Sequence, residues 1–188
     1  MRGAYLRADA ARQDALRRRY RQRFGDRPLV GISWRGGSGD TAQARSTVLA
    51  DWAPLLRQSR LGFINLQYGD CRAELTAVRE EAGVEVLHDE AVDPLKDLDG
   101  FAAQTAAMDL VISIDNSTVH MAGALGMPVW VLLPAVPDWR WMLGRSDSPW
   151  YSSVRLFRQL APGAWTPVIA SVAQELGRLF AAAGLGSQ

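Results

Sequence analysis

Short, almost continuous apolar runs alternate with longer amphipathic segments along this chain of 188 residues. Each run has the length of a β-strand, and its lack of apolar–polar alternation indicates a strand that is buried on both faces. The segments between the runs are of helical length and carry helix start and stop signals. Strands that alternate with helices predict an α/β fold, in which a mostly parallel sheet of about six strands is covered by helices on both sides.

Capping residues set several of the predicted helix boundaries. Asp9 is a suitable N-cap for the first helix, and Gly25, Gly83 and Gly126 end three of the helices. The predicted helices span 9–24, 49–58, 72–82, 100–108, 117–125 and 166–182. The predicted strands span 27–34, 61–67, 84–87, 110–114, 128–133 and 154–158.

The charge is close to neutral overall but uneven along the chain. The formal net charge is +1, which argues against bulk nucleic-acid binding. Residues 1–27 hold nine Arg and three Asp, a local charge of +6. The run Arg17–Arg23 is either a nucleic-acid patch or a solvated or interdomain helix face, and the second interpretation is favoured.

Composition excludes several classes of protein. No apolar run reaches the roughly 18 residues of a membrane span, and the first residues include no apolar leader region. Cys71 is the single cysteine, so a disulfide framework and a zinc cluster are excluded. The two histidines, His88 and His120, do not have metal-ligand spacing. We therefore expect a cytoplasmic protein without a metal ion.

The segment 114–126 carries the clearest candidate site. Asp115 stands at the tip of a predicted strand, and Asn116 or Ser117 can cap the helix that follows. The first N–H groups of such a helix are free to bind an anion such as a diphosphate. His120 lies one turn into the helix and can face the same ligand. The same residues also fit an ordinary capped turn in which the histidine is structural.

Three further features follow predicted strands, where open parallel sheets bind their ligands. The Gly-rich loop 34–40 can pass close to a phosphate or a sugar, and Arg45 can supply charge to a diphosphate. This loop is neither a dinucleotide fingerprint nor a P-loop. After the second strand, Tyr68 can stack on a base or Gln67 can hydrogen-bond one, although a plain Gly-containing turn is the favoured interpretation of these residues. The Trp-rich segment 139–150 can wall a nucleotide pocket or bury a domain interface.

Several stretches of the chain resemble one known family. The segments DLVISIDNSTVHMAGALGMPVWVLLP and PDWRWMLGRSDSPWYSSVRLFRQ are similar to the C-terminal domain of GT-B glycosyltransferases of the heptosyltransferase-like type, glycosyltransferase family 9. The resemblance extends to the version found at the end of bacterial tetratricopeptide-repeat (TPR) proteins. Because VGISWRG and FINLQYG also fit, it covers nearly the whole chain. It implies a Rossmann-like three-layer α/β/α domain, one half of a GT-B fold.

The resemblance implies that this domain binds the nucleotide-sugar donor. In the family, the donor diphosphate and the adjoining sugar lie along the helix after the fourth strand, which corresponds here to Asp115, Asn116, Ser117, Thr118 and His120. The loop residues expected to approach from the other side are Gly36, Gly37 and Ser38, with Arg45 as the basic residue. The candidates for a base or sugar pocket are Gln67, Tyr68 and Trp139. No metal ion is expected to take part.

A GT-B enzyme has two such domains, and its active site lies between them. The resemblance places the acceptor site and the catalytic base in an N-terminal half that this sequence does not contain. We expect residues 1–26 to form a basic helix and linker, residues 27–184 the nucleotide-sugar-binding domain, and residues 185–188 a frayed tail. Its partners would be a nucleotide-sugar and the missing domain or TPR repeats of a longer protein, and sugar transfer by this chain alone is not expected. The alternative is a non-catalytic interaction module that docks a partner through the Trp-rich loop and the basic helix.

Overall fold

A single sheet of six parallel strands lies at the centre of the computed structural model, which describes residues 3–37 and 39–183. The strands are β1 (Leu29–Ser33), β2 (Gly62–Asn65), β3 (Val86–Leu87), β4 (Leu110–Ile114), β5 (Val129–Leu133) and β6 (Val154–Arg158). The helices are α1 (Ala10–Phe24), α2 (Asp40–Arg45), α3 (Ala53–Leu56), α4 (Arg72–Ala82), α5 (Leu98–Ala106), α6 (Ser117–Ala124) and α7 (Trp165–Ala183). All six predicted strands are present. The predicted tail 185–188 and Ser38 lie outside the described residues.

The strand order β3-β2-β1-β4-β5-β6 divides the sheet into two halves at β1. The chain builds the sheet outwards through β2 and β3, then returns to place β4 on the free side of β1, with Ser33 opposite Ser113. This is the order of the dinucleotide-binding Rossmann fold. The predicted α/β fold with a parallel, Rossmann-like sheet is confirmed.

Successive residues of each strand pack alternately into two separate apolar clusters, one on each face of the sheet, because successive side chains of a strand point to opposite faces. In β5, Trp130 and Leu132 belong to the cluster that includes α7, whereas Val129 and Val131 belong to the cluster that includes α1. Every residue of β5 is buried. The continuous apolar runs in the sequence therefore reflect burial on both faces of the sheet.

The helices differ from prediction in the segment after β1. The predicted helix 49–58 is a 3₁₀ turn over Leu49–Trp52 followed by the single turn of α3. Pro54 at the start of α3 has no N–H to donate, which prevents one continuous helix. Helix α2 was not predicted, because its six residues have no apolar periodicity. None of the described helices combines the length and the hydropathy needed to cross a membrane.

Helix α1 packs on this chain rather than standing free. Asp9 caps it as predicted, accepting a hydrogen bond from the Arg12 N–H at 2.7 Å, and Gly25 follows its last residue. Tyr20 is fully buried, and α1 lies against α5. Three arginines of the run 17–23 pair with acids of the sheet domain, as in Arg19 with Asp89 at 2.6 Å; the other two are Arg17 with Asp109 and Arg23 with Glu85. This basic run is thus largely an intramolecular contact surface, and the domain boundary at residue 26 stays a prediction.

The buried hydroxyl of Tyr20 offers a test of this packing. It donates to Asp89 at 2.9 Å and accepts from the Gln104 amide at 3.0 Å. We predict that Tyr20→Phe lowers the free energy of unfolding by about 1–3 kcal/mol, because both partners lose a hydrogen bond in a buried place. Urea unfolding measures the change. Tyr5→Phe is the matched control, since Tyr5 is 62% exposed. Equal effects of the two substitutions would contradict the proposed anchoring.

Candidate nucleotide site at the strand switch

The candidate site lies at the carboxyl ends of β1 and β4, where the strand order reverses. The loops that leave these two strands run to opposite sides of the sheet, and such a switch point is where open α/β sheets have a crevice for ligands. The loop after β1 is the Gly-rich segment, and the turn after β4 carries Asp115 and Asn116. The two loops predicted to face each other are therefore adjacent in the fold.

Gln67, a predicted base or sugar contact, holds the loop after β1. Its Oε1 accepts from the Ser33 hydroxyl and from the N–H groups of Trp34 and Arg35, each at 3.0 Å. Its Nε2 donates to the carbonyls of Arg35 at 3.2 Å and Tyr68 at 3.1 Å. Because these bonds use the side chain's donors and acceptors, the structure gives Gln67 a positioning role.

Asn116 fastens the turn after β4 to β1. Its Oδ1 accepts from the Thr118 N–H at 3.0 Å, which makes it the N-cap of α6. Its Nδ2 donates to the Ser33 hydroxyl at 2.7 Å and to the Arg35 carbonyl at 3.2 Å. This side chain is buried and fully engaged, so it orients the helix N-terminus. Ser33, which bonds both amides, was missed because a serine ending an apolar run carries no distinctive sequence signal.

Arg45 and Asp115 bring opposite charges to the mouth of this switch point. The Arg45 Nη1 lies 3.4 Å from Asp115 Oδ2, and the Asp115 side chain is 6% exposed. The Nε of Arg45 is buried without a hydrogen-bond partner among the described residues. A Cβ on Gly36 would lie 3.5 Å from that Nε, so the Gly-rich loop packs directly against the Arg45 side chain. The pair leaves Arg45 with unused donors beside the turn.

The first turn of α6 completes this polar group. The N–H groups of Ser117 and Val119 have no partner within the helix, as helix geometry requires. Ser117 is exposed. The Thr118 hydroxyl is buried and has no hydrogen-bond partner in the part of the chain described. Unsatisfied donors at the positive end of a helix dipole favour an anion there.

His120 connects the helix to an aromatic cluster. Its Nδ1 is 3.0 Å from the Tyr151 hydroxyl, and its ring stacks on Trp141 with centroids 5.6 Å apart. Burial lowers the pKa of His120, and the Asp115 carboxylate opposes the shift. The imidazole is therefore neutral near neutral pH. Tyr151 was not among the predicted site residues, although it lies in the aromatic segment.

A cleft of about 430 Å³ opens on the far side of His120. Its lining consists of Tyr5, His120, Trp139, Arg140, Trp150 and Tyr151. We refer to it as the aromatic cleft. Trp139 is 69% exposed, and the Arg140 guanidinium lies 5.0 Å from its ring centroid. Of the predicted base or sugar contacts, the structure brings Trp139 to the His120 side of the site.

Tyr68 and Gly37 lie together on the other side of the site. A Cβ placed on Gly37 would be 3.9 Å from the Tyr68 hydroxyl. Burial raises the pKa of Tyr68, and Arg45 and Arg35 oppose the shift. A second cleft, of about 450 Å³, opens nearby beyond β2 and β3, with His88 in its wall. The predicted contacts thus flank the switch point instead of forming one pocket.

The fold is that of sugar-transferring enzymes of known structure. A glycosyltransferase of family 9 from Veillonella parvula matches with a TM-score of 0.55 and 13% identity, over 95% of this chain and 46% of its own. The ADP-heptose LPS heptosyltransferase II of Escherichia coli matches with a TM-score of 0.56 and 14% identity, over 90% of this chain and 53% of its own. The chain therefore has the fold of one half of these enzymes.

A sequence relative is much longer than this chain. Protein FlbA of Caulobacter vibrioides is 40% identical over 182 residues, which is 96% of this chain and 30% of FlbA. The chain thus spans less than a third of this relative. No protein-family model matches the sequence.

The environment of His120 makes a prediction about pH. We expect an NMR titration to give His120 a pKa below the ordinary value of about 6.5, because burial disfavours the imidazolium. The unfolded chain then binds more protons than the folded chain as the pH falls below about 6.5, so His120 costs stability there. In urea unfolding, His120→Gln should lose less stability than the parent between about pH 7 and about pH 5.5. A pKa of His120 at or above its ordinary value would contradict this assignment.

Proposed function

We propose that this chain is the nucleotide-sugar-binding half of a GT-B glycosyltransferase of the heptosyltransferase-like type. The observation that carries the proposal is the convergence, at the switch point, of the N-terminus of α6 with the Arg45 side chain, which is 32% exposed and whose Nη1 lies 3.4 Å from Asp115 Oδ2. The diphosphate of a nucleoside diphosphate-sugar is an anion of suitable charge for that place. The fold shared with two glycosyltransferases supports the same interpretation.

The chemistry follows from where charge appears when a sugar is transferred. The bond between the sugar and the diphosphate breaks, and the leaving nucleoside diphosphate gains negative charge. Donors already aimed at the diphosphate stabilise this charge without reorganising during the reaction. The Arg45 guanidinium and the free N–H groups of α6 are such donors, and His120 is one when it bears a proton on Nε2. The proposal assigns this task to them without a metal ion.

The proposal also limits what this chain does alone. It spans 46% and 53% of the two glycosyltransferase structures, so the residues that would face the donor across a cleft belong to the uncovered part of such proteins. We assign the acceptor site and the catalytic base to that part. In a longer protein, the partners of this domain would be a second Rossmann-like domain or TPR repeats.

A protein-interaction module is the second candidate. It is favoured by the exposed side chains of the loop after β5, including Trp139 at 69% and Leu143 at 76% exposure. Exposed apolar groups of this size mark partner surfaces when they are contiguous. This candidate requires no nucleotide, so nucleotide binding separates the two.

We predict that calorimetry with ADP, UDP, GDP and CDP finds one nucleoside diphosphate that binds in the presence of EDTA. Arg45→Met should raise its Kd about tenfold to a hundredfold, because a charge-assisted hydrogen bond is lost. His120→Ala should weaken binding as well. Arg178→Met is the matched control, since Arg178 is 65% exposed on α7. If no nucleotide binds to a folded chain, or if Arg45→Met leaves the Kd unchanged, the proposed site is wrong.

We predict that the chain alone does not transfer sugar. With the nucleotide-sugar of the base found by calorimetry, release of nucleoside diphosphate should stay at the uncatalysed rate, because the catalytic base is assigned to another domain. The His120→Ala variant serves as the blank for contaminating activity. A rate well above the blank, lost in that variant, would contradict the assignment of this chain as a half-enzyme.

A further inference from the structure

The aromatic cleft is not accounted for by a diphosphate at the switch point. Its volume of about 430 Å³ lies in the range of small-molecule sites, which are concave, mostly apolar and supplied with a few polar groups. We propose that the aromatic cleft binds a pyranose ring, and that it holds the glycosyl group of the nucleotide-sugar. The second part of this inference rests on the proposed function.

The aromatic walls suit a puckered ring better than a flat base. Trp139 and Trp150 meet edge to face, with an interplanar angle of 89° and centroids 6.2 Å apart. Tyr5 and Tyr151 are nearly parallel, with ring centroids 6.4 Å apart. The walls form a corner. A pyranose ring is not flat and carries C–H groups on both of its faces, so it can contact both walls of this corner.

Polar groups lie around these apolar walls. The lining residues Tyr5, Tyr151, His120 and Arg140 carry hydroxyl, imidazole and guanidinium groups. The contact of His120 Nδ1 with Tyr151 leaves Nε2 without a partner among residues 3–37 and 39–183. A sugar ring has the complementary chemistry, with apolar C–H faces and a rim of hydroxyls that both donate and accept.

The cleft is held in shape by its own contacts. The Trp150 indole N–H donates to the Arg140 carbonyl at 2.8 Å, and Arg140 in turn pairs with Asp138 at 2.8 Å. The Arg140 guanidinium lies over Trp139, which adds a cation–π contact to a largely exposed indole. Side chains that are fixed before binding lose less entropy when a ligand arrives.

The position of the cleft matches the order of groups in a nucleotide-sugar. His120 lies one turn from the N-terminus of α6, and the same side chain lines the aromatic cleft. The proposed diphosphate site is at the ends of β1 and β4, and the cleft residues other than His120 come from the segment between β5 and β6 and from Tyr5. A sugar attached to a diphosphate at the first place can reach the second across His120.

The test uses Trp139→Ala, whose exposed position spares the core, and Trp139→Phe, which retains an aromatic wall. Leu160→Ala is the matched surface control, since Leu160 is 97% exposed in the loop after β6. Saturation-transfer NMR with methyl glycosides of glucose, galactose, mannose and N-acetylglucosamine tests the cleft without any nucleotide. Calorimetry then compares each nucleoside diphosphate with its sugar-bearing form.

We expect at least one glycoside to give a signal that Trp139→Ala abolishes and the other two variants retain. Trp139→Ala should raise the Kd of a nucleotide-sugar at least about fivefold and change the Kd of the bare nucleoside diphosphate less than about twofold. If glycosides bind but no nucleotide does, the proposed function fails and the sugar cleft stands.

Three results would overturn the inference. One is a silent glycoside panel together with equal effects of Trp139→Ala on bare and sugar-bearing nucleotides. Another is that Trp139→Ala weakens binding of the bare nucleoside diphosphate as its main effect, which would place the base in the cleft. The third is sedimentation that shows a dimer of the parent chain and a monomer of Trp139→Ala, which would make the cleft a contact between copies.

Discussion

The hydrogen bonds that hold two diverging loops at the strand switch are the constraint on which the rest of the site depends. At this point the chain leaves β1 and β4 towards opposite sides of the sheet, and among residues 3–37 and 39–183 no backbone ladder joins the two loops beyond the strand ends. Asn116 joins the two loops with side-chain bonds to Ser33 and Arg35, and Gln67 fixes the loop after β1 from the side of β2; both amides reach the Ser33 hydroxyl. Buried amides with every donor and acceptor used rigidify a structure, whereas partly satisfied ones destabilise it. The fixed direction of α6, and hence the direction of its free N–H groups, follows from these bonds.

This arrangement separates the residues that build the site from those left for a ligand. From the sequence, the side-chain amides of Gln67 and Asn116 were predicted to contact a ligand. In the structure they form hydrogen bonds with other protein groups instead. The groups that a ligand can reach are the partly exposed Arg45 guanidinium and the start of α6, where Ser117 is exposed. Asp115 limits the excess positive charge, because its carboxylate lies beside Arg45. An incoming diphosphate would compete with Asp115 for this cation, which sets part of the energetic cost of binding.

Much of the fold is predictable from the sequence, because a buried strand or a capped helix end has a recognisable pattern within a few consecutive residues. A nearly continuous apolar run marks β4, the sequence predicts both β4 and β6 with their observed bounds, and Asp9 and Gly83 mark helix ends through backbone geometry. The sequence of the short helix α2 has no comparable apolar pattern, so it was not predicted. The site was predictable only as a set of loops. Which polar side chain faces a ligand and which faces the protein depends on partners distant in sequence, such as Ser33 for Asn116, and no local pattern reveals that pairing.

A half-site of this kind explains why binding and catalysis can be separated physically. The aromatic cleft opens to solvent and the Arg45 side chain is 32% exposed, so water screens the charges of both. Fixed dipoles stabilise a developing charge strongly only where water is excluded. In the proposed enzyme, a second domain closing over the α6 N-terminus would supply that exclusion together with the catalytic base. The Arg45 guanidinium and the free N–H groups of α6 would then contribute modestly to binding the diphosphate before the reaction. They would contribute much more to stabilising the leaving group, without any change in their own positions.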